Sequence, residues 1–389
     1  MISLAEARQI LNDIKVSPAL ETVFLDKARK RILAQQVVSG IDMPPFDKSA
    51  MDGYAVISGD DSPRFKIVET ISAGSVPQQK IAKGECARIM TGAPLPPGAD
   101  KVVIKEHTGE EAGCLVVQKQ SDRRNICYRG EDVGVGDVVL HRGELIGPAQ
   151  VGVLAAMGLK TVEVFRQPLV GLLTTGSEIK EPGETLQPGQ IYNSNAYSLS
   201  AQVERLGGLV RYRGIVKDEP ADIKEKISDM LAACDLVLIS GGVSMGEYDY
   251  VPGILAELGA FIHFSKVAVK PGKPTVFADC GGKPVFGLPG NPVSTFVIFE
   301  VMVRPLLYRL MGRHDAPPLL TGTMAEDYIP RHSGRTAFIP VTYNMGEVAL
   351  VDYHGSAHIL ALTRANGLLE IPVGVAKISR GITVYVRPI

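Results

Sequence analysis

From Pro168 to Met311 the chain alternates short apolar runs with segments of helical period, and this alternation restricts the fold more than any other feature. Strands are predicted over Leu169 to Leu173, Leu209 to Val216, Leu236 to Ile239, Phe261 to Val269, Thr275 to Ala278 and Val285 to Leu288. Helices are predicted over Asn195 to Leu206, Pro220 to Cys234, Val251 to Leu258 and Pro292 to Met311. Asn291 and Pro292 suit the N-cap and first turn of the last helix, and Gly312 its C-terminal stop. A run such as Val237-Leu238-Ile239 is apolar at successive positions, so both of its faces are buried, as in parallel strands covered by helices. The segment is therefore expected to be a doubly wound α/β domain.

In such sheets ligands bind beyond the carboxyl ends of the strands. The loops expected there are Thr174 to Glu178, Lys217 to Pro220, Ser240 to Asp249, Lys266 with Lys270 to Pro274, and Leu288 to Ser294. Gly241 and Gly242 let backbone amides approach a ligand closely, with Ser244 beside them. Lysines and amides stabilise a phosphate or another oxyanion, whereas Asp and Glu repel it unless a hard divalent cation sits between. That mixture points to a phosphorylated ligand with Mg²⁺. Each motif alone has a purely structural reading. Gly-Gly after a strand makes a tight turn, Asp218 can cap a helix, Glu178 can be a solvated loop charge, and KPGKP can be a proline-stiffened surface hairpin. Convergence of five such loops on one sheet edge favours function.

Around this domain the texture differs. Residues 3–14 and 18–36 carry apolar residues at helical spacing, with Ser3 three before Glu6 as a start signal, and read as two short helices. From Ile41 short β-type runs follow, at Phe65 to Ile71, Ala87 to Met90, Lys101 to Lys105 and Cys114 to Lys119. Gly136 to Leu140 returns from this unit, and Pro148 to Met157 reads as a helix. The β unit, residues 41–136, thus stands as an insert in a helical segment of residues 1–40 and 137–166, ahead of the α/β domain at 167–312. Short strands over 313–389 predict a small C-terminal β-barrel or sandwich, the barrel preferred. The insert has its own dense motif, MPPFDKSAMDGYAV, containing Asp47, Ser49 and Asp52, followed by Met90-Thr91-Gly92; a double turn with side-chain caps is an equally open reading of it.

Composition excludes several classes. Over 389 residues, 45% hydrophobic and 21% charged residues describe a globular protein, and a formal charge of -1 with no basic run argues against nucleic-acid binding. Glu6, Arg8 and Asp13 interrupt any signal-peptide core, and the longest apolar run, Phe296 to Val303, is broken by Glu300, so a cytoplasmic protein without a membrane span is expected. Five scattered cysteines with no CxxC fit neither a disulfide framework nor a zinc site. Neither GxxxxGK[ST] nor GxGxxG occurs.

Seven motifs stand in order: PPFDKSAMDGYAV, MTGAPLPPGAD, RGEDV, TTGSEI, SGGVSMGEYDYV, VKPGKPTVFA and GLPGNPVSTF. The set resembles the molybdopterin molybdenumtransferases, the family of bacterial MoeA and the gephyrin E domain, over nearly the whole chain. The resemblance implies insertion of molybdate into adenylylated molybdopterin with release of AMP, Mg²⁺ dependence, and a homodimer in which the insert of one subunit faces the α/β crevice of the other. It further implies that Asp52, Thr91 and Asp132 are the insert's contribution. Glu178, Asp218 and Asp249 become the carboxylates handling Mg²⁺ and substrate. Lys266, Lys270 and Lys273 hold phosphate and molybdate, Pro289 and Pro292 shape the last loop, and Arg335 and Ser356 match an oxyanion contact more loosely. The adenylyltransferase of the same pathway and the apo-molybdoenzymes are further partners it admits. One departure stands out: family members often carry consecutive arginines before Gly-Glu-Asp, where this chain has Cys127 and Tyr128 before Arg129. Two rival readings are the adenylyltransferase step itself, whose corresponding loop usually reads GGTG rather than Gly241-Gly242-Val243-Ser244, and a non-catalytic gephyrin-like scaffold.

Overall fold

The computed structural model describes residues 1–243, 250–313, 318–330 and 334–389. Its centre is a six-stranded sheet in the order Leu209–Val216, Leu169–Thr175, Leu236–Ser240, Lys283–Leu288, Val276–Cys280, Phe261–Phe264. The first four strands run parallel, and the last two join antiparallel. Successive residues of one strand enter opposite layers. Leu236 and Leu238 pack with the helices Ser194–Leu206 and Pro292–Ile298, while Val237 and Ile239 pack with Pro220–Ala233 and Val251–Glu257. Helices on both faces explain why the strands read as continuous apolar runs.

The last predicted helix is a helix throughout, but its centre, Phe299–Val303, widens into a π turn. Glu300 lies in that turn, fully buried, and is paired with Arg205 and Arg304 and with Gln202, whose Nε2 donates at 2.8 Å. In the sequence Glu300 reads only as a break in an apolar run. Burying a carboxylate is tolerated here because two guanidinium groups and an amide compensate it. No helix among the described residues is long and apolar enough to cross a membrane.

The N-terminal segment departs from expectation. Leu4–Asp13 is helical, with Ser3 and Glu6 forming the expected capping box, but 18–36 is not a helix. Leu20–Phe24 is a strand paired antiparallel with Thr161–Phe165, and only Leu25–Ala28 makes a helical turn. Thr22, Val23 and Phe24 favour strand, and the partner at 161–165 decides the matter from about 140 residues away. The predicted strand Phe261 to Val269 is also divided. Phe261–Phe264 stays in the central sheet, while Val269–Lys270 pairs with Thr336–Ala337 of the C-terminal region.

The insert is a second six-stranded sheet, reached through the paired strands Val37–Val38 and Val138–Leu140. In the C-terminal region, Thr336–Asn344, Glu347–Leu350, Leu320–Met324, Thr383–Pro388 and Gly367–Ile371 pair in succession. The last returns to the first, so the sheet closes into a five-stranded barrel rather than a sandwich.

Candidate functional site

The first parallel strand ends in Thr174 and Thr175, both buried. Gly241 and Gly242 press against that end. Both have positive φ, and a Cβ on Gly241 would lie 2.4 Å from the Thr175 carbonyl oxygen. Only glycine fits, so backbone rather than side chain faces the edge here. Beyond Gly176, the Ser177 amide and hydroxyl each donate to Asp218 Oδ2 at 3.0 Å, joining the loops of two neighbouring strands. Glu178 follows, exposed, with its carboxylate folded towards Gly176. Glu178, Asp218, Gly241 and Gly242 therefore form one cluster at the predicted edge. Ser244 and Asp249 lie outside the described residues. The donors present, carboxylate oxygens, are those Mg²⁺ prefers, although among the described residues no three His, Cys, Asp or Glu side chains converge to hold an ion.

Two buried asparagines fix this edge. Asn195 Nδ2 donates to Ser240 Oγ at 2.9 Å and to the Gly290 carbonyl at 2.7 Å, bridging the strand end to the last loop. Asn193 caps the following helix by accepting from the Ala196 amide at 3.2 Å, and donates to the Tyr212 hydroxyl at 2.6 Å. Burial and the carboxylate of Glu181, which accepts from that hydroxyl, push the Tyr212 phenol well above its ordinary pKa. Sequence reading missed both asparagines. Their only signal is an Asn-x-Asn just before a helical run, which a capping residue alone explains.

The lysines occupy different ground. A cavity of about 620 Å³ opens between the α/β domain and the barrel, and its walls include Lys270, Lys273, Asn291, Ser294, Arg335 and Ser356. Contacts across the domain boundary build it. The Lys270–Pro274 turn is pinned by the Thr275 hydroxyl on the Gly272 carbonyl at 2.7 Å and by the pairing of Val269–Lys270 with the barrel. This turn is thus no free surface hairpin. Arg335 Nη1 donates to the Val269 carbonyl at 3.3 Å. The Val293 amide, in the first turn of Pro292–Ile298, donates to the Ser356 carbonyl at 3.0 Å, so a barrel loop caps an α/β helix. Pro289 is buried beneath that turn, its carbonyl accepting from Thr295 Oγ1, and Pro292 is the first helical residue. Lys266 is half-buried and lies outside the lining of this cavity.

The insert holds the remaining predicted residues. Asp52 Oδ1 accepts from both the amide and the hydroxyl of Thr91 at 2.8 Å, and Lys105 Nζ stands 3.8 Å from Oδ2. The Thr91 amide, then its hydroxyl, hold the Asp52 carboxyl below the usual range. Asp132 is exposed, its amide bonded to the Met43 carbonyl at 2.9 Å. No hydrogen bond or ion pair between described residues joins the insert, 41–136, to the α/β domain, 167–312. Within one chain the insert pair therefore stands unbonded to the α/β domain, whereas the carboxylate edge and the cationic cavity meet at the last loop, where Gly290 is held by Asn195 and Asn291 lines the cavity.

Residues 2–158 match the MoeA N-terminal region (domain I and II), 171–309 a probable molybdopterin binding domain, and 323–389 the MoeA C-terminal region (domain IV). The molybdopterin molybdenumtransferase of Staphylococcus aureus (strain MRSA252) is 36% identical over 98% of this chain and 94% of its own length. That of Staphylococcus epidermidis (strain ATCC 12228 / FDA PCI 1200) is 34% identical over the same shares. A crystal structure of a molybdopterin biosynthesis MoeA protein from Pyrococcus horikoshii superposes with a TM-score of 0.87 at 30% identity, covering 100% of both chains.

Proposed function

The chain belongs to the family of the molybdopterin molybdenumtransferases, and from that premise we infer that it is a transferase that inserts molybdenum into molybdopterin. The observation that carries the reading beyond kinship is the cavity between the α/β domain and the barrel. It brings Lys270, Lys273 and Arg335 onto one space with the Ser356 loop, and three cations around a void fit a tetrahedral oxyanion such as molybdate. An oxyanion held by fixed donors needs no reorganisation when its oxygens leave.

The finer chemistry follows from the other two groups. The substrate is adenylylated molybdopterin, AMP is the leaving product, and the amide-lined edge at Gly241 and Gly242 receives its phosphates. Glu178 and Asp218, with Asp249, would hold Mg²⁺, which supplies neutralisation of the phosphoanhydride charge. Ser177 positions the Asp218 carboxylate through its two donors. Asp52, oriented by Thr91, completes the site from the insert of a second copy, which is why the insert pair has no bonded neighbour in its own α/β domain. The homodimer is therefore part of the reaction. The adenylyltransferase and scaffold readings are less favoured, because relatives matching 98% of the chain carry the molybdenumtransferase name.

The decisive assay is molybdate-dependent AMP release from adenylylated molybdopterin, run in parallel with tungstate and against ATP with unmodified molybdopterin. Release only in the first pair of arms is expected; turnover confined to the ATP arm would establish the adenylyltransferase instead, and none in any arm the scaffold. The shared site is tested by mixing Asp52→Ala and Asp249→Ala chains, which should recover one intact site per heterodimer. Absence of recovery after demonstrated subunit exchange would refute the dimeric site.

A further inference from the structure

The insert holds a second cavity, of about 320 Å³, that none of the site residues named above lines. Its walls include Met51, Lys101, His107, Lys119, Arg123 and Asn125, and no carboxylate side chain lines it. Lys101 Nζ is committed to the Ser121 carbonyl. Lys119 and Arg123 form no ion pair with any described residue, so two cations are left to the space. His107 Nδ1 is buried and has no hydrogen-bond partner.

The walls are firmly built. Asn125 Nδ2 donates to the Val102 carbonyl at 2.8 Å, the Val102 amide to the Arg124 carbonyl at 2.8 Å, and the Ala50 amide to the Asn125 carbonyl at 3.0 Å. The last of these bonds ties the wall to the turn that carries Met51 and Asp52. The volume stands at the small end of the range for ligand pockets, and cations without an acid among them select an anion. We propose that this cavity binds a phosphate group, presented either as the free inorganic anion or as a phosphate ester. The Lys119 and Arg123 side chains would donate to its oxygens, with the His107 ring in the wall beside them. The inference does not depend on the insertion reaction.

The test uses the full-length protein carrying Lys270→Ala and Lys273→Ala, so that the other cationic cavity does not contribute. Inorganic phosphate and AMP are titrated separately, by calorimetry and by the His107 imidazole signals in NMR. Saturable binding that moves the His107 signals is expected, weakened at least tenfold by Lys119→Glu with Arg123→Glu. It should be unchanged by Lys80→Glu with Lys83→Glu, which are exposed on the same insert and outside the lining, with folding of each variant checked by circular dichroism. Tighter binding of AMP assigns the ester, equal or weaker binding the free anion, and both support the site. No saturable binding in the Lys270→Ala and Lys273→Ala protein, or equal losses in the two charge-reversed variants, would overturn it whatever the outcome of the AMP-release assay.

Discussion

The Asp52–Thr91 pair and the Lys270–Arg335 cavity collect polar groups by opposite means. Asp52 and Thr91 come from two turns of one small sheet, and a pair of bonds at 2.8 Å from a single residue orients the carboxylate. The cavity comes from separate segments spread over residues 270–356, joined across a domain boundary by the Val293–Ser356 and Arg335–Val269 bonds. Geometry that is local resists distant change, whereas geometry shared between domains depends on every contact that holds them together. The difference shows where function is vulnerable: at the cavity through packing, at Asp52 through its immediate partner.

The largest effect is expected from Arg335→Ala. Loss of a fixed donor to an oxyanion lowers turnover by about 10²–10³-fold, while circular dichroism should remain that of the parent. An activity within threefold of the parent would remove the cavity from the reaction. Next comes Gly272→Ala. Gly272 has φ of 110°, and its new Cβ would sit 2.5 Å from Ile298 Cδ1, so overpacking and backbone strain should cost about 1–3 kcal/mol. Thermal unfolding should shift down while the KM for molybdate rises, since the same turn carries Lys270 and Lys273. An unchanged KM beside a lowered Tm would separate the fold of the turn from its binding role.

Asn195→Ala tests the link between regions. It deletes the bridge from Ser240 to Gly290 and leaves the buried Ser240 hydroxyl unsatisfied, at a cost of about 1–3 kcal/mol. Because Gly290 leads into the cavity wall, activity should fall more than stability predicts, and Asn195→Ser should recover part of it. The smallest effect belongs to Thr91→Val. Asp52 is exposed and its carboxyl is held low by the Thr91 amide first and the hydroxyl second. Its charge therefore persists below the usual carboxylate range and is lost only as pH falls through the lowered value. Removing the hydroxyl alone raises that value part of the way back. The acid limb of the pH–rate profile should move upward, with the alkaline limb unmoved; an unshifted acid limb would show that Asp52 ionisation does not limit turnover.

Much of this was legible in the residues themselves. The doubly wound domain followed from successive apolar positions, because strands buried on both faces cannot alternate. Gly241 and Gly242 were legible because Gly-Gly at the end of a strand lets the backbone take positive φ and turn. Ser3 and Glu6 specified their helix start within four residues. Such features are set by interactions a few residues long, and the sequence determines them by itself. Other features needed the folded chain. Residues 18–36 lost their helical reading to a partner at 161–165, and Glu300, beside Arg304 on its own helix, is compensated as a buried ion by Gln202 and Arg205, far away on another. Val269 left the central sheet for the barrel, and Asn195 acquired its role by reaching Gly290. In each case the partner is distant in sequence, and only tertiary structure, where burial makes an unpaired polar group costly, decides which groups must meet.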